Sequence, residues 1–394
     1  MTTHFPFSSF IAQLREFIHR YSCPDEWSGG RLQNGENEFN QHALALFGLQ
    51  FAHNAPYRQF CRSRQADPET IRHWSKIPAM PAVGFKDLEL TSLPAEQRTR
   101  IFYSSGTTGQ SPSRHFHDSE SLALYQASLL PWFQAHLLAS SMAHSAGSPS
   151  RPGSGLSSVA GEMACLFLTP PPADVPHSSL AYMFEAIHHQ LRWHESVFTG
   201  QIGSDGAWLL DFDKSLDALG QAIAANRPVV LLGTAFNFLH LLDNLAKINR
   251  RLRLPSGSRV METGGYKGRS RSLPKSELHE LISVWLTIPS AHIVCEYGMS
   301  ELSSQAYDSL FAKSRECGRI FRFPPWARAQ IISPETGCEV ADAEPGLIRI
   351  FDLANVRSVM AVQTEDLGVR RGDGFELLGR ATLAEPRGCS LMTI

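Results

Sequence analysis

Ser104-Ser105-Gly106-Thr107-Thr108-Gly109 is the stretch on which the reading of this 394-residue chain turns. Four hydroxyl side chains and two glycines in six residues make poor helix and poor strand. They follow Arg100-Ile101-Phe102-Tyr103, whose apolar run predicts a strand leaving a core. Such a loop can turn several backbone N–H groups into one concavity with hydroxyl donors around it, which suits an oxyanion or a polyphosphate. It is not a Walker-type loop, which ends Gly-Lys-Ser/Thr, because Gly109 is followed by Gln110. An ordinary Ser/Gly turn is the competing reading. The residues on either side decide between them.

Downstream, short apolar runs alternate with longer helical patterns. Residues 165–168, 228–233, 259–262 and 292–296 read as strands, and 178–194, 216–225, 237–248 and 273–286 as helices. This alternation predicts an α/β fold with a largely parallel sheet covered by helices on both faces. Ligands bind such sheets beyond the carboxyl ends of the strands, where the Ser/Gly loops fall. From 319 the helical period disappears and strand-like pieces follow at 329–332, 346–351 and 375–378. Upstream, Ser8-Ser9 caps an expected amphipathic helix and 38–51 forms another, while Pro78 and Pro81 force an extended path. A helix over 120–138 is expected to break at Pro131, and the Ser-, Gly- and Pro-rich 139–158 to form a loop near a site opening or a surface insertion. The predicted organisation is one continuous domain. A helical lead-in spans 1–98, an α/β nucleotide-binding core 99–318, and a strand-rich part with a mobile tail 319–394.

Composition narrows the function. Thirty-six Lys and Arg against 38 Asp and Glu give a net charge of −2, which leaves no electrostatic footprint for nucleic acid. The seven cysteines form no C-x-x-C pair and suit a reducing compartment. The first residues lack a signal-peptide pattern, and the apolar run at 228–242 is too short to span a bilayer. The expectation is a cytoplasmic enzyme. No H-E-x-x-H helix, G-x-S-x-G elbow or complete dinucleotide fingerprint is present.

Four further stretches carry chemistry. In Glu296-Tyr297-Gly298-Met299-Ser300-Glu301, Gly298 allows a turn, Tyr297 offers a ring to a base, Ser300 a hydroxyl to phosphate, and Glu301 the hard oxygen that magnesium prefers. A helix cap is the bland alternative. In Thr263-Gly264-Gly265-Tyr266-Lys267, paired glycines let a planar base lie against the backbone, and Lys267 stands ready for anionic groups. A basic surface turn competes. In Thr364-Glu365-Asp366-Leu367-Gly368, a carboxylate can take both hydroxyls of a ribose, although an acidic hairpin turn fits equally. In Leu378-Gly379-Arg380, Arg380 either reaches a phosphate or ribose or is an exposed hairpin arginine.

In this order the motifs resemble those of the adenylate-forming superfamily of acyl and aryl ligases. Within it the chain is most similar to the acyl-protein synthetases of bacterial luminescence, through IPAMPAVGFKDLEL, SSGTTGQSPSRH, EYGMSELSSQAYD and LGRATLAEPRGCSL. The resemblance runs from about Phe10 to the end and is specific as an ordered set. It implies ATP and Mg²⁺, with Ser104, Ser105, Gly106, Thr107, Thr108 and Gly109 on the β- and γ-phosphates. Gly264, Gly265, Tyr266 and Tyr297 would meet the adenine, Glu301 the magnesium and Asp366 the ribose, with Arg380 nearby. The implied reaction joins a carboxylic acid, here a fatty acid, to AMP and then passes the acyl group to a thiol. That thiol is Cys389, which matches the family's acylated tail cysteine, or belongs to an external carrier or reductase.

Two departures from the superfamily pattern stand out. The chain runs only 14 residues beyond Arg380, so the small C-terminal domain with its lysine is expected to be absent. The base that usually follows the loop as Lys is here Arg114, beside His115, which either helps hold phosphate or carboxylate or is a structural histidine. A coenzyme A ligase resembling the phenylacetate enzymes, and a nucleotide-binding subunit without turnover, are the alternative readings.

Overall fold

The structure, a computed structural model, describes residues 7–22, 31–104, 111–138, 160–204, 206–265, 273–308 and 319–381, with no side chains for 31–34. A twelve-stranded sheet runs through them. From one edge its order is Ala327–Ile332, Pro345–Asp352, Ala361–Arg371, Gly374–Arg380, Phe321–Arg322, Ala306–Asp308, Ile293–Tyr297, Arg259–Thr263, Val229–Thr234, Ala164–Phe167 and Glu195–Phe198. Met80–Pro81 pairs alongside Ala361–Arg371.

The last five strands are parallel. From Ile293–Tyr297 to Ala327–Ile332 successive strands in that order are antiparallel, with Met80–Pro81 added parallel to Ala361–Arg371. The expected sheet is therefore half right: a parallel α/β half continues, edge to edge, into an antiparallel half. Connection length is the physical reason. Each parallel step is made through a helix, whereas the 298–305 connection after Tyr297 is too short for a crossover, so the chain turns back on itself.

The parallel strands are buried on both faces, which gives their near-continuous apolar runs. Cys165, Phe167, Val230, Leu232 and Met261 meet the helices Ser119–Leu137 and Ser179–Gln190. Leu166, Val229, Leu231, Val260 and Ile293 meet Phe212–Ala224, Ala235–Lys247 and Lys275–Leu286 on the other face. Pro131 does not interrupt Ser119–Leu137, which is capped by Asp118. Proline in a helix costs about 3 kcal/mol. Leu129, Trp132, Phe133 and Leu137 are all buried around it, at about 1.5–3 kcal/mol each for the apolar ones, and burial wins.

The N-terminal helices Phe7–Arg20, Arg31–His53 and Ala55–Arg62 pack into a third core with the antiparallel half, through Phe10, Leu14, Phe17, Phe39, Phe47, Trp74, Ile350 and Phe351. No described helix is long and apolar enough to cross a membrane. The predicted strand Arg100–Tyr103 forms, but outside the large sheet, as one arm of a hairpin with Arg114–His117. The Ser/Gly stretch thus lies in sequence between the two arms of that hairpin and does not follow a strand of the parallel half.

Candidate functional site

Residues 105–110 lie outside the described residues, as do Tyr266, Lys267 and Cys389. The ends of the Ser/Gly loop are described. The Ser104 N–H donates to the Ser113 carbonyl at 3.2 Å, and the Ser113 N–H donates to Ser104 Oγ at 2.9 Å. This closure delivers Ser113 to the second motif. Its hydroxyl donates to Glu301 Oε1 at 2.5 Å, while Ser300 Oγ donates to Glu301 Oε2 at 3.0 Å. Ser113, Ser300 and Glu301 are all buried. Two oxygen-bearing side chains and a carboxylate therefore converge where the loop begins and ends. Ser113 was missed in the sequence, although strand alternation places it on the same side as His115.

His115 Nδ1 donates to the Ser300 carbonyl at 2.8 Å. Burial lowers its pKa to about 4 despite that bond, so the ring is neutral at pH 7 and serves as a fixed donor beneath Ser300. Arg114, one residue earlier, faces away. Its guanidinium lies 3.4 Å from Glu89 and over the Phe116 ring. The structure brings His115 to the Ser300–Glu301 turn and leaves Arg114 paired elsewhere.

Around that turn the backbone is fitted closely. A Cβ on Gly298 would stand 2.3 Å from Glu296 Oε1, so only glycine lets the Glu296 carboxyl fold back over the turn. The Thr263 hydroxyl donates to Glu296 Oε2, and burial raises the Glu296 pKa to about 7. Thr263 leads into Gly264, whose φ of +67° favours glycine. Among the described residues, chain neighbours aside, no atom lies within 4 Å of where a Cβ would stand on Gly264 or Gly265, so these two glycines leave open space beside the backbone.

Tyr297 turns its ring into Phe321, Phe323 and Phe375, at centroid distances of 6.0, 6.3 and 5.4 Å. Its hydroxyl donates to Asp366 Oδ2 at 2.8 Å. Arg380 is the register partner of Asp366, with Nε 3.7 Å from Oδ1 and its side chain 81% exposed. Burial raises the Asp366 pKa, and the Tyr297 hydrogen bond and Arg380 draw it back. The Tyr297 and Asp366 strands are separated by four steps in sheet order. In a flat sheet that is about 19 Å. The direct bond requires the sheet to curl sharply there, over the two-residue strand Phe321–Arg322 and the three-residue Ala306–Asp308.

The sequence profile of the family described as acyl-protein synthetase, LuxE, matches residues 175–393, more than half of the chain. This chain belongs to that family. It is 22% identical over 381 residues to the long-chain-fatty-acid–luciferin-component ligase of Aliivibrio fischeri, covering 93% of this chain and 90% of the relative. The Vibrio harveyi ligase of the same description is 21% identical over 380 residues, with 93% and 89% covered. Among solved structures, a 2-hydroxyisobutyryl-CoA ligase in complex with 2-HIB-AMP and CoA superposes with a TM-score of 0.60 at 12% identity, over 87% of this chain and 68% of its own. That likeness is one of fold. The chain spans 49% of the length of three other solved structures aligned with it.

This family member carries an ionic group around the buried Glu262, under the strand ends, that the sequence reading did not find. Lys275 Nζ lies 2.8 Å from Glu262 Oε1 and 2.6 Å from Cys295 Sγ, and His279 Nε2 lies 3.2 Å from the same Glu262 oxygen. Burial alone would raise the Glu262 pKa, but Lys275, His279 and Cys295 together lower it to about 2. The signal was Lys275 and His279 at i, i+4 on one helix face. The group ties Arg259–Thr263 to Ile293–Tyr297 just below Gly264 and Tyr297. Among the described residues no cluster of three His, Cys, Asp or Glu side chains suits a metal ion.

Proposed function

We propose that this chain is an AMP-forming ligase that activates a fatty acid with ATP and passes the acyl group to a protein thiol. The observation that carries this reading is the meeting of the Ser104/Ser113 loop ends with Ser300 and Glu301, next to the Tyr297–Asp366 pair. Membership of the acyl-protein synthetase family supports it. In the first step a carboxylate oxygen of the acid attacks the α-phosphorus of ATP. The bond to the bridging oxygen breaks, and pyrophosphate leaves. In the second step a thiolate attacks the acyl carbonyl, a thioester forms, and AMP leaves.

The chain's own residues bind and orient. Backbone N–H groups and hydroxyls of 104–109 hold the β- and γ-phosphates, and Lys267 faces anionic groups. Gly264, Gly265, Tyr266 and Tyr297 enclose the adenine, and Asp366 accepts the ribose hydroxyls with Arg380 beside it. The oxygen-rich set at Glu301 fits magnesium, which when bound supplies positive charge between the phosphates. Positioning and charge neutralisation are what such a reaction needs from a protein. Cys389 is the first acceptor on this reading, and a reductase or carrier protein the next.

Carboxylate-dependent exchange of labelled pyrophosphate into ATP tests the reading across a panel of acids. Exchange with long-chain acids is the expected result, and no exchange with any acid refutes the enzyme. Added coenzyme A yielding a free thioester would move the acceptor from protein to coenzyme A.

A further inference from the structure

Glu301 is held from behind by residues of the antiparallel half. The turn after Pro345–Asp352 carries Asp352 and Asn355, both buried, beneath the 301–305 segment. Asp352 Oδ2 accepts the N–H groups of Ser303 and Ser304, each at 2.8 Å. Its Oδ1 accepts the Ser304 hydroxyl at 2.7 Å and the Ala354 N–H at 3.0 Å. Asn355 Nδ2 donates to the carbonyls of Glu301 and Val359, both at 2.8 Å, and its Oδ1 accepts the Ser303 hydroxyl at 2.9 Å. The turn is in turn fixed to the helix Arg31–His53. Gln50 Nε2 donates to the carbonyls of Asn355 and Val356 at 2.8 and 3.2 Å, and its Oε1 accepts the Met360 N–H at 3.1 Å.

We propose that Asn355 and Asp352 are positioning residues for Glu301, fixing its backbone and hence the point from which its carboxylate holds a divalent cation. The inference rests on the reading of Glu301 as the metal-holding side chain. The 302–305 segment belongs to no helix or strand, so its buried N–H groups need partners from outside. Apolar packing could bury such a turn but could not fix its place. A carboxylate taking four hydrogen bonds and an amide using both its ends leave it one position. Ser113 and Ser300 hold the Glu301 carboxylate from one side while Asn355 holds its backbone from the other. Geometry of this kind matters because a displacement of about 1 Å can cost about a hundredfold in function.

Asn355→Ala removes both amide donors, and Ser303→Ala removes only the hydroxyl on Asn355 Oδ1 as a milder perturbation. The full chain is titrated with Mn²⁺ in the presence of a non-hydrolysable ATP analogue. Bound metal is read by electron paramagnetic resonance, and thermal unfolding is followed alongside. We expect Mn²⁺ affinity to fall about tenfold in Asn355→Ala and about twofold in Ser303→Ala, in line with the loss of buried hydrogen bonds. Leu245→Ala, a core truncation behind the parallel half, should lower the melting temperature and leave Mn²⁺ affinity unchanged. An Asn355→Ala protein that melts early but binds Mn²⁺ like the parent overturns the positioning role. If Asn355→Ala fails to fold, unchanged affinity in Ser303→Ala does the same. A parent protein that binds no Mn²⁺ with the analogue is a different result, which overturns the role of Glu301 and this inference with it.

Discussion

Replacing Tyr297 by Phe removes one oxygen and leaves a ring that still fills its place among Phe321, Phe323 and Phe375. What is lost is the donor to Asp366 Oδ2 at 2.8 Å. A hydrogen bond to a charged acceptor is worth about 1.5–3 kcal/mol. The Asp366 side chain is 22% exposed, so water recovers part of that, and Arg380, itself 81% exposed, cannot substitute for the fixed donor. The lower end applies, about 1.5 kcal/mol, which sets an upper bound of about tenfold on the loss of nucleotide affinity through a less well-placed Asp366. The perturbation also has a pH signature. Burial raises the Asp366 pKa and the tyrosine bond draws it down, so without that bond the carboxyl protonates at a higher pH. On the proposed reading ribose hydroxyls donate to the ionised carboxylate, so on acidification ATP binding should fail earlier in Tyr297→Phe than in the parent. Calorimetric titration of ATP with magnesium, from about pH 8 to about pH 5, reads both effects. Asp366→Ala sets the limit, at about tenfold or more. A Tyr297→Phe protein with parental affinity and an unshifted acid limb would refute the coupling. An Asp366→Ala protein with parental affinity would remove Asp366 from the site.

Glu301→Gln should raise the magnesium concentration needed for pyrophosphate exchange, since a neutral amide is the poorer ligand; an unaltered magnesium titration counts against it. His115→Gln should destabilise the protein near pH ~8 and lose most of that disadvantage near pH ~4. The parent binds fewer protons folded than unfolded between about 4 and 6.5, so His115 withdraws about 3 kcal/mol as pH falls through that window. Equal gaps in urea unfolding at the two pH values would show that His115 is not buried neutral. Cys389→Ser, with labelled fatty acid and ATP, should keep pyrophosphate exchange but yield no hydroxylamine-labile protein label. A label at the parental level would place the acceptor elsewhere.

The sequence made residue types and their local settings legible, and left their partners hidden. Gly298 and Gly264 could be read as turn residues because a glycine's reason is local, in a positive φ or a close approach of its own neighbours. The Tyr297–Asp366 bond could not, because it depends on how sharply four strand steps curl, which no spacing records. Arg114 drew attention as the base standing where the superfamily usually has a Lys, and Ser113 beside it carried no such signal. Hairpin alternation then turned the hydroxyl inward and the charge toward Glu89. The antiparallel turn after Tyr297 could have been read from the shortness of 298–305.

The candidate site's place in the sheet also departs from the rule for open α/β folds. The parallel strands run in spatial order Glu195–Phe198, Ala164–Phe167, Val229–Thr234, Arg259–Thr263, Ile293–Tyr297, so the chain reverses between the second and third. A ligand crevice is expected there. There the Leu168 side chain lies so close to Gly233 that a Cβ would stand 2.9 Å from it. The Thr234 hydroxyl, at the end of the next strand, is used to cap Ala235–Lys247 through Asn237. Two strands further on, the chain leaves Tyr297 without entering a helix, and Ser300 and Glu301 are not consumed as caps. They meet a hairpin from one side and the Asp352–Asn355 turn from the other. The change from parallel to antiparallel pairing thus brings Ser113, Ser300 and Glu301 together, where the strand reversal brings Leu168 against Gly233.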